Sequence, residues 1–289
     1  MKALLLAATL AMASSFAVSI AHAETPAELE AQAQKAYEER DYTAPGVQRA
    51  QDASDLFGKL AGQTTDQDKL AEIRVRQAAA CFFVGDAASD TNVRITQFWN
   101  GYQLADLAIK HFGINDVSNV SAADLANLLK LPKEQITRLG EALYVRGINL
   151  GQWGEAKGVV SSLDRWPELR NSMELMVKIG MKELHEYGAY RTLGRGLFLI
   201  PGLLGGDTAK ADKYLAATVK GSLAPGQSYS INGYNNLFYA DSLKYAGKDA
   251  EAKKLLQDYL KADPNTILPG YAPESKKAQA LAIEKLKTW

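Results

Sequence analysis

Residues 187–217 read YGAYRTLGRGLFLIPGLLGGDTAKADKYLAA, and this stretch permits few architectures. Tyr190, Leu193, Leu197 and Ile200 fall on or near one face of a helix, which Pro201 must end because proline lacks the amide that the next turn needs. The bend Gly202-Leu203-Leu204-Gly205-Gly206 follows, and Asp207 sits where a side-chain oxygen caps the free amides of a second helix carrying Lys210, Ala211, Tyr214, Leu215 and Thr218. Two helices joined by so short a bend pack side by side, and each leaves an apolar stripe that only further elements can cover.

The rest of the chain supplies more helices, and strand-like alternation is scarce. Thr25-Pro26-Ala27-Glu28 combines a capping threonine, a proline in the first turn and a glutamate that reaches back to the cap. Pro45 opens a second helix ending near Gly62, and a third spans residues 66–85. In the fourth, Ile95, Phe98, Trp99, Tyr102, Ala105, Ile109 and Phe112 recur at three- and four-residue steps, which marks a core-facing stripe. Ser121 and Asp124 stand at capping-box positions of a short helix over 121–130, and Pro132 begins a longer one reaching Leu150. Gly151-Gln152-Trp153-Gly154 reads as a tight turn, with helices beyond it at 155–164 and 167–186. Helices at 235–246, 249–262 and 273–288 complete the chain, separated by Gly247 and Pro264. The expected fold class is all-α, one domain over 24–289 built as an irregular array of antiparallel helix pairs.

Aligning the turns exposes a weak repeat. Gly247, Ala252, Leu256 and Pro264 occupy the offsets that a tetratricopeptide repeat gives to its turn glycine, small contact alanine, large second-helix residue and terminal proline. Gly206, Ala211 and Leu215 reproduce the first three offsets, as do Gly151, Ala156 and Val160. The unequal spacing of these units predicts divergent helix pairs and not a regular array.

The first 23 residues, MKALLLAATLAMASSFAVSIAHA, have the form of a secretory signal peptide. Lys2 precedes an apolar stretch broken by Thr9, Ser14, Ser15 and Ser19, and Ala21-His22-Ala23 is a small-x-small cleavage motif. The expectation is a periplasmic protein beginning at Glu24, without stable membrane insertion, since no second apolar stretch approaches the ~20 residues of a span. The only cysteine, Cys81, lies in AAACFF and reads as a small buried hydrophobe, so neither a lipid anchor nor an internal disulfide is expected. The 33 basic and 33 acidic residues balance without long single-sign runs, which disfavours nucleic acid and anionic membranes as partners.

Enzyme signatures fail one by one. His185-Glu186 begins a zinc-protease motif, but Ala189 takes the place of the second histidine. Gly194 and Gly196 start a dinucleotide fingerprint that breaks at Leu199, and Gly205-Gly206-Asp207 lacks a phosphate-loop lysine. Ser230 stands where a nucleophile elbow beginning at Gly226-Gln227-Ser228 needs glycine. No catalytic residue, metal or cofactor is therefore expected. Trp99, Trp153 and Trp166, like Tyr187, Tyr190 and Tyr234, either fill core or line a ligand groove between helices. Arg191 and Arg195, four apart on one face, make either a salt-bridged surface or a carboxylate-binding one.

From about Glu141 to Ala262 the chain resembles the TatT family, the tetratricopeptide-like T component associated with periplasmic TRAP transporters. The resemblance rests on Ala142-Leu143-Tyr144 with Gly147-Ile148-Asn149-Leu150, on Met173-Glu174, and on Tyr187-Gly188-Ala189-Tyr190 leading into Leu193-Gly194. Pro201, Gly205, Gly206, Asp207 and Ala211 complete it as a structural motif. It implies a non-enzymatic protein that pairs with a periplasmic solute-binding protein of a TRAP-type system and has a central channel suited to a small hydrophobic or organic-acid ligand. It is compatible with a homo-oligomer, and the family's lipid-anchoring cysteine is missing here. The other reading of the helix array is a periplasmic scaffold for peptides or envelope proteins, unrelated to transport. On the cleavage motif, the intact mass of the exported protein should correspond to a chain starting at Glu24; a retained leader or an added lipid mass would refute the assignment.

Overall fold

The computed structural model describes residues 24–289, and the expected signal peptide lies outside them. Among the described residues the chain forms twelve α-helices and one isolated β-bridge, Leu223 to Ser230. In order they are α1 (Pro26–Glu38), α2 (Ala44–Gln63), α3 (Gln67–Ala87), α4 (Thr91–Lys110), α5 (Ala122–Leu128) and α6 (Lys133–Lys157). There follow α7 (Trp166–Lys178), α8 (Leu184–Leu199), α9 (Thr208–Gly221), α10 (Gly233–Tyr245), α11 (Asp249–Tyr259) and α12 (Ala272–Thr288). None of these helices is long and apolar enough to cross a membrane.

Local chemistry sets most boundaries. Thr25 and Ser121 form the expected capping boxes with Glu28 and Asp124, and Asp66, Asp90, Asp207 and Asn232 cap α3, α4, α9 and α10. Gly247 ends α10 in the left-handed region, with φ of 75°, and allows α11 to fold back. Consecutive helices pair as α1/α2, α3/α4, α6/α7, α8/α9 and α10/α11, with α5 inserted before α6 and α12 closing the series. The array is the all-α, tetratricopeptide-like arrangement that the periodicity predicts.

Two sequence expectations need correction. Gly151 and Gly154 do not make a turn: α6 runs unbroken to Lys157, and the reversal comes at Gly158, with φ of 101°. A Cβ on Gly151 would press on Leu169 Cδ1 at 3.2 Å and one on Gly154 would meet Ser162 Oγ at 3.0 Å, so both glycines serve close packing along a helix. The repeat unit placed on Gly151, Ala156 and Val160 therefore does not exist, and a 3₁₀ segment, Val160–Arg165, replaces the helix expected at 155–164. The helix expected over 167–186 stops at Lys178, where Gly180 adopts φ of 84°.

The core follows the helix stripes. Phe98, Tyr102, Ala105 and Ile109 of α4 are buried as expected, as is Cys81, whose sulfur lies 3.4 Å from Ser54 Oγ. Ala211 and Leu215, then Ala252 and Leu256, are fully buried at their repeat offsets. Apolar clusters join neighbouring pairs, but none contains residues of both α12 and α1–α3. The two ends of the array nevertheless meet, through polar and cation–aromatic contacts. Arg40, just past α1, donates to Glu274 Oε1 at 2.8 Å and to the Gly270 carbonyl at 3.1 Å, and Lys277 of α12 pairs with Asp86 of α3 at 2.7 Å. The helix pairs thus bend into a ring.

The bend after Pro201 is tightly built. Gly205 is left-handed, and a Cβ on Gly206 would fall on the Ile200 carbonyl oxygen. Gly206→Val should therefore cost about 1–3 kcal/mol of stability. Thermal melting followed by circular dichroism checks this, and an unchanged midpoint would show that the close approach is not structural.

Candidate functional site

The ring encloses a cavity of about 410 Å³. Its wall comes mainly from the first helix of each pair, α1, α3, α6, α8 and α10, together with α12 and the segment around Val160–Arg165, while α4, α5, α9 and α11 stay outside. The reason is geometric: in each pair the first helix packs against first helices of adjoining pairs, so all their remaining faces turn inward. The wall is mostly apolar. Val75 and Phe82 of α3, Val145 and Ile148 of α6, Leu199 and Ile200 at the end of α8 and Phe238 of α10 face it, with Phe57 and Trp166 from second helices.

The polar groups of the wall are largely committed to one another. His185 Nε2 lies 2.6 Å from Glu141 Oε2, and its ring stacks on Tyr144 at 4.1 Å. His185, Glu186 and Tyr187 all occupy the left-handed region, with φ of 54°, 52° and 62°, a conformation that costs side-chain-bearing residues of order 1–3 kcal/mol each. Arg191 holds this turn. The residue is 6% exposed, and its guanidinium donates to the His185 carbonyl at 3.1 Å, to Asn235 Oδ1 at 2.9 Å and to the Tyr144 hydroxyl at 2.5 Å. Asn235 in turn donates to the Glu186 carbonyl at 2.9 Å. Arg195 is held between Asp241 at 3.3 Å and Glu155 at 3.6 Å, over the Phe238 ring.

One end of the cavity is rich in phenols. Tyr37 of α1, Tyr144 of α6, Tyr234 of α10 and Tyr271 before α12 line it beside Glu141 and Glu274. Burial pushes the Tyr37 phenol up to about 12, with Arg40 opposing and Glu274 and Tyr144 adding to the rise. Burial also raises Tyr271, helped by Tyr37 and Tyr144, and raises Tyr234 well above the usual range, helped by Asp86 and Glu274. With these upward shifts the Tyr37, Tyr234 and Tyr271 phenols are neutral at physiological pH.

The residues singled out from the sequence divide sharply. Arg191, Arg195, Trp166 and Tyr234 line the cavity. Trp99 and Trp153 do not: they stack on each other at 5.2 Å between α4 and α6, in the apolar core. Tyr187 and Tyr190 also face away, Tyr190 against Tyr214 at 5.2 Å and Tyr187 over Gly221, in the seam between α8 and α9. Pro201, Gly205, Gly206 and Asp207 shape the bend, where Asp207 caps α9 by accepting from the Lys210 amide at 2.9 Å. Neither arginine behaves as a free carboxylate receptor, because each already faces acceptors of the protein itself. Sequence reasoning missed Tyr37, Tyr271 and Glu274, which no local motif marks.

In comparisons with known proteins, no family model matches this chain and no curated protein matches it.

The two arginines should separate in stability. Arg191→Ala strands several buried acceptors and releases the left-handed turn, with an expected loss of about 2–3 kcal/mol. Arg195→Ala, partly exposed and screened, should lose about 1 kcal/mol or less. Denaturant unfolding of both variants measures this, and equal small losses would mean that Arg191 does not hold the turn.

Proposed function

We propose that this protein is a periplasmic, non-enzymatic binding component that holds a small apolar or amphipathic molecule inside a ring of tetratricopeptide-like helix pairs. The carrying observation is the 410 Å³ cavity, of a size that accommodates small ligands and walled mainly by aliphatic and aromatic side chains. Its polar groups favour binding over catalysis: His185 is engaged by Glu141, and Arg191 and Arg195 by carbonyl, amide, phenol and carboxylate oxygens.

The place of this activity is an uptake system of the TRAP type, where the protein pairs with the solute-binding protein. The support for that step is the sequence resemblance over residues 141–262, which includes the bend motif and the α6 segment that forms part of the cavity wall. The open peptide groove of a general scaffold is disfavoured by the contacts of Arg40 and Lys277, which join the ends of the array across what would be its concave face.

A substitution that fills the cavity tests the reading. Ile148 lines it without being fully buried, so Ile148→Trp places an indole in the empty space. Wild-type protein should enhance the fluorescence of N-phenyl-1-naphthylamine, and Ile148→Trp should abolish the effect while keeping the helical circular dichroism. Undiminished dye binding by the variant would move the ligand elsewhere. Affinity capture of the tagged protein from periplasm should bring down a TRAP-type solute-binding protein, and its absence would remove the transport assignment.

A further inference from the structure

We propose that the phenol-rich end of the cavity receives a protonated amine at the head of an apolar ligand, between Tyr37, Tyr144 and Tyr271 and beside Glu274. This rests on the reading of the cavity as a ligand site.

The hydroxyls of Tyr37 and Tyr271 have no hydrogen-bond partner among the described residues, although both tyrosines line the cavity. The Tyr144 hydroxyl accepts from Arg191 and keeps a second lone pair. Neutral phenol oxygens at such a place accept hydrogen bonds, and their ring faces attract cations. The protein itself demonstrates that attraction here: the Arg40 guanidinium lies 4.1 Å from the Tyr37 ring centre and 6.0 Å from that of Tyr271.

Charge points the same way. Glu274 Oε1 accepts from Arg40 Nε and Nη2, and its other oxygen is buried with no partner among the described residues. That orphaned acceptor calls for a donor, which an ammonium supplies and a carboxylate does not. For a carboxylate head, each guanidinium of the wall already faces acceptors of the protein, and Arg195 Nε is the one donor nitrogen among them that is buried without a hydrogen-bond partner among the described residues. Arg76 faces Glu30 and Glu72, Arg165 faces Glu168, and Arg195 faces Glu155 and Asp241, while Arg191 is spent on neutral oxygens. An alcohol would satisfy the phenols but gain nothing from the ring faces or the carboxylate charge.

The test is isothermal titration of the full exported chain with octylamine, octan-1-ol and octanoate at neutral pH, with N-phenyl-1-naphthylamine as a control for the cavity. Octylammonium should bind at least about tenfold more tightly than octanoate, and more tightly than octanol. Glu274→Gln should reduce that preference. Because Glu274 also joins the array ends, the double variant Tyr37→Phe and Tyr271→Phe, which keeps the rings, provides the second reading: it should lose most of the amine preference and leave dye binding intact. Octanoate binding as tightly as the amine overturns the head-group assignment. If the dye binds and none of the three C8 compounds does, the head-group assignment also falls while the cavity stands; if the dye fails as well, both fall together. A preference for octylammonium that survives the double phenylalanine variant overturns the role of the phenols.

Discussion

Three buried guanidinium groups hold this ring of helices in register. Arg40, Arg146 and Arg191 are the only charged residues in the buried set among the described residues, and each reaches at least one helix outside its own pair. Arg146 of α6 reaches Asp106 and Tyr102 on α4 and Glu168 and Ser172 on α7. Arg191 of α8 reaches Tyr144 on α6 and Asn235 on α10, and Arg40 reaches Glu274 on α12. A planar fork with five donors suits this task better than a lysine, because it meets several fixed acceptors at once. Apolar stripes tell helices to pack, but they slide past one another at small cost. A buried guanidinium leaves its acceptors stranded if the register shifts, so it specifies one arrangement.

The same economy shapes the cavity. Helix pairs put one face toward their neighbours and one toward the ring axis, and what remains at the axis is a space bounded by side chains too short to fill it. The apolar part of the wall is left over from packing. The polar part is mostly scaffold turned inward, as Arg191 shows by staking down the left-handed turn whose His185 and Glu186 form part of the wall. Where α1 and the approach to α12 converge, the Tyr37 and Tyr271 phenol oxygens remain without hydrogen-bond partners among the described residues, and this gives the space a direction.

The sequence made the helical periodicity, the caps and the bend after Pro201 legible, because each depends on residues within a few positions of one another. The misread elements share a different cause. Gly151 and Gly154 look like a reversal, but a glycine that permits a turn and a glycine that permits close contact are the same letter. The left-handed turn at His185, Glu186 and Tyr187 carries no glycine at all and depends on Arg191 and Asn235, the latter almost fifty residues away. Trp99, Trp153, Tyr187 and Tyr190 were sound aromatic candidates on the wrong faces, since a face can be assigned only when the neighbouring helix is known. The sequence puts forward Arg191 and Arg195, which do line the cavity, and leaves Trp166 and Tyr234 between core and groove, whereas Tyr37, Tyr271 and Glu274 come together only when the ends of the chain meet.

That meeting changes the kind of object the protein is. An open stack of helix pairs behaves as a line: each unit leans on the next, the terminal units have a single neighbour, and unravelling begins at either end. Here Arg40 and Glu274, separated by 234 positions, give the first and last units a second neighbour. The stack acquires no free terminus from which to fray, and loosening the first helix requires loosening the last. Every unit of the cycle contributes residues to the wall of the enclosed space, so the space and the closure of the ring are built by the same contacts.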